Sequence, residues 1–273
     1  MSGATEKGAN IPPVQINPNK FKGQVVVVTG AAQGIGKTTA TLFAQQGASV
    51  ILVDIQEKLV ETTTTEIKSK GGHAVFRITD IASEEACNQL IKSVIKEFGK
   101  IDVLVQLAAL VKYNPILDLT TDELIKSMEV NVYSCFYLSR AVLPHMRKAG
   151  YGRLVQTSSA TTQHMFPGLN VYVATKGALI SMTRSLALEA GPGITANVVM
   201  PGFVETPGAA KGDQSTRDSV GAQSMWDYHI DHQCVKRRGQ PEDLAHAICF
   251  LASPEASFVS GQILDVSGGF TFH

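Results

Sequence analysis

The sequence predicts an α/β fold: a single-domain, doubly wound parallel sheet of about seven strands with helices on both faces. Three observations carry this prediction. Short runs rich in Val and Ile recur at residues 25–29, 49–53, 74–78, 103–107, 154–157, 195–199 and 262–266. Amphipathic stretches of helical period lie between them, at 36–46, 57–70, 84–98, 122–147, 171–189 and 242–252. A glycine-rich turn joins the first run to the first of these helices.

Several of the runs show little alternation of apolar and polar residues, as expected of strands covered on both faces. Strands alternating with helices build βαβ units with right-handed crossovers. A chain of 273 residues can bury a large core without disulfides or metal. Its 24 basic and 24 acidic residues cancel, which argues against a nucleic-acid or anionic-membrane partner. Cys87, Cys135, Cys234 and Cys249 form no CxxC pair and read as reduced, mostly apolar fillers. His229, His232 and Cys234 lie close in sequence, but a polar loop accounts for them and no metal is expected. Residues 1–20 form a polar N-terminal arm with no apolar run of signal-peptide type. No stretch approaches the ~20 apolar residues of a membrane helix, so a soluble, cytoplasmic protein is expected.

The first strand leads into Thr29-Gly30-Ala31-Ala32-Gln33-Gly34-Ile35-Gly36 and then a helix. Small residues there let backbone approach a pyrophosphate, whose charge lies at the positive end of the helix. The spacing is GxxxGxG rather than GxGxxG. Asp54, at the end of the second strand, is placed to accept hydrogen bonds from adenosine ribose hydroxyls and to repel a 2′-phosphate, which favours NAD over NADP. Asp80-Ile81 closes the third strand, placed to meet the adenine ring. The expected architecture is therefore a Rossmann-like, dinucleotide-binding domain over residues 21–273.

Asn131 lies in the 122–147 stretch between Val130 and Val132, where a buried amide is costly unless hydrogen-bonded. Ser158-Ser159 ends the fifth strand, at the edge where open α/β sheets bind ligands. Tyr172 and Lys176, four apart on the following helix, share one face. A nearby ammonium is expected to lower the phenol pKa and fit Tyr172 for proton transfer. Residues 203–240 form a connection long enough to be functional, read as a lid over the substrate with an oligomer contact as the alternative. Val111, Tyr113, His164, Met165, Phe166, Phe203, Met225, Trp226 and Tyr228 are candidate walls for a partly apolar or ring-bearing substrate. If Trp226 covers the substrate, its loss should raise KM.

The set formed by Thr29–Gly36, Asp80, Asn131, Ser159, Tyr172, Lys176, Pro201-Gly202, Thr206, Ser260–Gln262 and Gly268-Gly269 resembles the short-chain dehydrogenase/reductase family. The likeness runs from about residue 22 to residue 269. The resemblance implies an NAD-dependent oxidoreductase that interconverts a secondary alcohol and a ketone. Tyr172 would be the general acid/base, Lys176 would lower its pKa and bind the nicotinamide ribose, and Ser159 would hold the substrate oxygen. Asn131 would hold a water linking Lys176 to solvent. Gly30, Gln33, Gly34, Ile35, Gly36, Asp54, Asp80, Ile81, Ala108, Tyr172 and Lys176 would contact the cofactor, with Pro201, Gly202, Val204 and Thr206 around the nicotinamide. A homotetramer built on the 122–147 and 171–189 helices is also implied. One departure stands out: Gln106-Leu107-Ala108-Ala109 replaces the usual Asn-Asn-Ala-Gly, and Ala109 restricts φ where glycine is usual. A non-redox member of the same superfamily, such as a dehydratase or epimerase, or a non-catalytic dinucleotide-binding protein are the alternatives.

Overall fold

Val25–Val28 are almost completely buried, which explains why this run lacks polar alternation. Val26 and Val28 belong to a core with Ala40, Phe43, Ile248 and Leu251 on one side of the sheet. Val25 and Val27 belong to a second core with Leu90, Val94, Leu138 and Val142 on the other. Burying side chains of this size contributes roughly 1.5–3 kcal/mol each, so both faces resist exposure.

The structure, a computed structural model, describes residues 14–209 and 225–272. Its elements begin with β1 (Val25–Thr29), α1 (Gly34–Gln45), β2 (Ser49–Asp54), α2 (Glu57–Ser69), β3 (His73–Ile78), α3 (Glu84–Phe98) and β4 (Val103–Gln106). Then come α4 (Thr121–Met128), a π-helical turn (Glu129–Tyr133), α5 (Ser134–Ala149), β5 (Gly152–Thr157), α6 (Asn170–Glu189) and β6 (Ile194–Pro201). The last are α7 (Met225–His232), α8 (Pro241–Leu251) and β7 (Ile263–Val266).

The strands form one seven-stranded sheet in the order β3-β2-β1-β4-β5-β6-β7. Every pairing is parallel, as the predicted Rossmann-like fold requires. The order reverses between β1 and β4, and the loops leaving those strands open a crevice at the carboxyl edge of the sheet.

Residues 122–147 do not form the one continuous helix expected. The π-helical turn interrupts them and carries Asn131, which is 1% exposed. A wider turn at this point brings an amide inward, and it survives there because partners meet it, as shown below.

Phe21 is fully buried, meets Phe43 edge-on at 4.8 Å and donates its N–H to the Gln46 carbonyl at 2.8 Å. Residues 1–13 of the expected arm lie outside the described residues, as do residues 210–224 of the expected lid. The two ends of that long connection are pinned together: Val204 and Gly239 form an isolated bridge, and Arg238 pairs with Glu205 at 3.0 Å. Among the described residues, no helix is long and apolar enough to cross a membrane.

Candidate active site

The turn after β1 is built so tightly that two of its glycines, Gly30 and Gly36, admit no side chain. Gly30 has φ +67°, and a Cβ there would sit 2.8 Å from the Ala108 backbone. A Cβ on Gly36 would fall 2.0 Å from the Gly30 carbonyl oxygen. The result presents the start of α1 bare: Gln33 makes no side-chain cap and no acidic residue occupies the first turn. Helix-start N–H groups left this way suit an anion.

Asp54 braces the same turn from β2. Its Oδ2 accepts from the Ala32 N–H at 3.0 Å and its Oδ1 from the Gln56 N–H at 3.0 Å. A carboxylate has about four acceptor positions, so capacity remains for a ligand hydroxyl. Neighbouring cations are committed elsewhere: Lys37 pairs with Glu66 at 2.7 Å, and Arg77 pairs with Glu97. Asp80 is exposed and turns back to accept from the Ala82 N–H at 3.0 Å, whereas the Ile81 side chain is packed in the core.

Tyr172 and Lys176 project from the first turns of α6 toward the end of β5. Lys176 is 2% exposed, donates from Nζ to the Thr157 carbonyl at 2.8 Å, and stands 5.7 Å from the Tyr172 ring centroid. Ser158 Oγ donates to the Lys176 carbonyl at 2.9 Å, clamping α6 to the strand. Ser159 Oγ accepts from the Thr161 N–H at 3.2 Å and from Thr161 Oγ1 at 2.9 Å. With both acceptor positions used, the Ser159 hydroxyl proton is left to donate.

Burial pushes the Tyr172 phenol up to about 12, against a hydrogen bond with Ser159 that lowers it and with Tyr113 adding to the rise. Burial brings Lys176 down to about 8, with Cys135 opposing. At Tyr172 burial is the largest influence, ahead of the hydrogen bond with Ser159. Burial disfavours the charged phenolate, which raises the phenol's pKa.

Asn131 sits behind this group. Its Oδ1 accepts from the Leu110 N–H at 2.7 Å, and its Nδ2 donates to the Leu110 carbonyl at 2.9 Å and to Thr175 Oγ1 at 3.0 Å. It ties the exit of β4 to α6, one residue before Lys176.

A cavity of about 320 Å³ joins these parts. One end is lined by Gly30, Gln33, Gly34, Ile35 and Gly36, and the other by Ser159, Tyr172 and Lys176. Pro201, Gly202, Val204 and Thr206 lie along it as well. Asp54, Asp80, Ile81, Ala108 and Asn131 are not in its wall.

The chemistry converging here matches the outcome of comparison with known proteins. A family profile described as enoyl-(acyl carrier protein) reductase matches residues 30–271. A 7alpha-hydroxysteroid dehydrogenase of Escherichia coli is 35% identical, over 92% of this chain and 95% of its own length. A short-chain dehydrogenase/reductase from Brucella melitensis superposes with TM-score 0.83 at 29% identity, over 93% of this chain and 99% of that one. The chain belongs to the short-chain dehydrogenase/reductase family. It is similar also to a structure of NAD+-bound xylitol dehydrogenase, with TM-score 0.86, 30% identity, and coverage of 92% and 100%.

Within this short-chain dehydrogenase/reductase, the unusual 106–109 segment is repacked rather than strained. Gln106 is 4% exposed and donates from Nε2 to the Cys135 carbonyl at 3.2 Å. Leu107 packs against the core, and the N–H groups of Leu107 and Ala108 donate to Thr29 Oγ1 at 3.2 and 3.3 Å. Ala109 has no positive φ, so the restriction expected of it does not arise.

The substrate end of the cavity differs from the expected walls. Val111, Tyr113, Phe166, Phe203 and Met225 line it. Trp226 does not: its ring lies 4.1 Å from Phe203, with the Arg238 guanidinium over it at 4.9 Å. Met165 is 64% exposed, and His164 Nε2 is taken up by the Tyr228 hydroxyl at 3.1 Å. Leu169, Thr161, His229 and Phe270 join the wall and were missed. Each comes from a loop or short helix whose approach to β5 depends on packing, so no local pattern marks it. His229 and His232 each bond a helix carbonyl, of Met225 and Tyr228, and no group of three metal-ligating side chains occurs among the described residues.

Proposed function

We propose that this chain is an NAD-dependent oxidoreductase that interconverts a secondary alcohol and a ketone, with Tyr172 as the proton donor and acceptor. The observation that carries this reading is one continuous cavity, bounded at one end by the bare α1 start and at the other by Ser159, Tyr172 and Lys176. The uncapped helix, the close backbone approach at the turn glycines and the spare acceptor capacity of Asp54 fit the pyrophosphate and ribose of a nicotinamide dinucleotide. A nicotinamide ring bound beside Pro201, Gly202, Val204 and Thr206 supplies or accepts the hydride.

The protein's own residues do the rest. Ser159, its lone pairs engaged by Thr161, donates to the substrate oxygen and steadies charge developing there. Tyr172 gives the proton to that oxygen in reduction and removes it in oxidation. Lys176 holds positive charge beside the phenol and binds the nicotinamide ribose, and Asn131 orders a water that passes protons from Lys176 to solvent. Asp80, Ile81 and Ala108 take the adenine side.

Preference for NAD rests on Asp54 and on the pairing of Lys37 and Arg77 with carboxylates, which leaves a 2′-phosphate a repulsive neighbour. The NAD+-bound neighbour supports the same cofactor. Asp54→Asn is expected to reduce the NAD-over-NADP ratio of kcat/KM by about 10- to 100-fold, the worth of a charge-assisted hydrogen bond. An unchanged ratio would reject Asp54 as the discriminator.

The assembly proposed is a homotetramer on the α4–α5 and α6 faces. Exposed apolar side chains support it: Leu124, Ile125, Tyr133 and Phe136 on the first, and Leu188, at 90% exposed, on the second. A cytoplasmic location completes the proposal. The decisive test follows reduced-nicotinamide absorbance with NAD and NADP over secondary alcohols, and with the reduced cofactors over ketones. Turnover with NAD supports the reading; bound NAD without turnover across the panel favours a non-catalytic binding protein.

A further inference from the structure

His229 is the one nitrogen-bearing ring in the apolar part of the cavity wall. It lies on α7, is 6% exposed, and is stacked between two phenylalanines: Phe203 at 4.7 Å and 22°, and Phe270 at 4.4 Å and 30°. The stack fixes the ring plane. Rotation within that plane is fixed by Nδ1, which lies 2.7 Å from the Met225 carbonyl. A carbonyl only accepts, so Nδ1 carries the proton and Nε2 bears a lone pair. Burial brings the imidazole down to about 4, with neighbouring His164 and His232 pushing the same way, so the ring is neutral at physiological pH.

Nε2 therefore accepts and does not donate. Among the described residues no hydrogen bond reaches it. The residue lines the cavity together with Ser159 and Tyr172. An acceptor with a fixed direction, set among Phe166, Phe203 and Phe270, calls for a ligand that is apolar over most of its surface and carries one donor.

We propose that His229 Nε2 accepts a hydrogen bond from a second hydroxyl group of the substrate, so that this enzyme selects cyclic diols and hydroxy-ketones over the corresponding mono-alcohols and ketones. The first hydroxyl meets Ser159 and Tyr172, and the second, across the ring, meets His229. This rests on the oxidoreductase reading for the first hydroxyl, while the second contact is a matter of binding alone. A substrate bearing a carboxylate or carbonyl at that position would set lone pair against lone pair and be refused.

The test compares cyclohexanol with the cyclohexane-1,2-, 1,3- and 1,4-diols, using the NAD-loaded protein, its His229→Phe variant and its His229→Gln variant. Binding is read by fluorescence of Trp226, the chain's single tryptophan, and turnover by nicotinamide absorbance. In the wild type, the best diol is expected to bind and react about tenfold better than cyclohexanol, through Kd and KM rather than kcat, as one neutral hydrogen bond allows. The diol-to-cyclohexanol ratio should fall to near one in His229→Phe and recover in His229→Gln, whose amide oxygen restores an acceptor. No diol preference in the wild type, or a preference that His229→Phe leaves intact, overturns the proposal. Diol-selective binding that depends on His229 but brings no turnover would uphold it and reject the oxidoreductase reading.

Discussion

Tyr172→Phe is expected to lower kcat by about 10³-fold in both directions while leaving NAD affinity nearly unchanged, as befits removal of a general acid/base. The phenol oxygen is the only group lost. The ring that occupies the cavity wall beside Lys176 remains, so the fold and the cofactor end are untouched. Retained turnover within tenfold of wild type would remove Tyr172 from the chemistry, and loss of NAD affinity in parallel would mean that the variant had disturbed the site at large. The pH dependence has a definite sign. Burial raises the Tyr172 pKa from its ordinary value of 10.0 to about 12, so the phenol form dominates at neutral pH. Reduction needs that form, whereas oxidation needs the phenolate, whose fraction grows about tenfold per pH unit below the pKa. Alcohol oxidation should thus rise steadily from about pH 6 to 9, with reduction far flatter, in initial-rate profiles measured with saturating cofactor. A flat oxidation profile, with chemistry shown to be rate-limiting, would exclude Tyr172 as the proton acceptor.

Gly36→Ala should be as damaging at the other end of the cavity. The new methyl would lie 2.0 Å from the Gly30 carbonyl oxygen and 2.7 Å from its carbon, both backbone atoms that cannot swing aside. The turn must open, which costs about 3 kcal/mol or more of stability and, by displacing the N–H groups at the start of α1, about a hundredfold in NAD affinity. Thermal unfolding and NAD titration measure the two effects. Gly71→Ala is the control: its φ is +82° but nothing lies within 4 Å of the added Cβ, so only about 1 kcal/mol of backbone strain is expected. Equal losses at both positions would mean that the close approach at Gly36 contributes nothing special.

Much of this protein was legible before folding because its signals are local. The four valines of β1, with no polar alternation, require a strand covered on both faces, and an apolar core on each side of the sheet follows from that requirement. Tyr172 and Lys176 had to share a helix face, since four residues make about one turn. The turn glycines announced a close backbone approach by their spacing alone. The family, too, was identifiable from these motifs taken in order.

Other properties depend on segments far apart in the chain. The sequence could not show that Thr29 would supply the acceptor for Leu107 and Ala108, or that Ala109 would keep an ordinary φ, because both depend on how β1 and β4 lie side by side. Nor could it show that 122–147 would break at a π-helical turn around Asn131, whose partners are Leu110 and Thr175. Trp226 and His229 share one short helix, yet packing sends the first behind Phe203 and leaves the second in the cavity wall. Desolvation, which raises the Tyr172 pKa against the hydrogen bond with Ser159, exists only once surrounding elements exclude water. Residue type and spacing thus determined the sheet, the turn and the Tyr–Lys pair, because these follow from backbone period and local sterics. The shape of the substrate end and the proton affinities within it were decided by tertiary structure, because burial and contact are properties of the assembled chain.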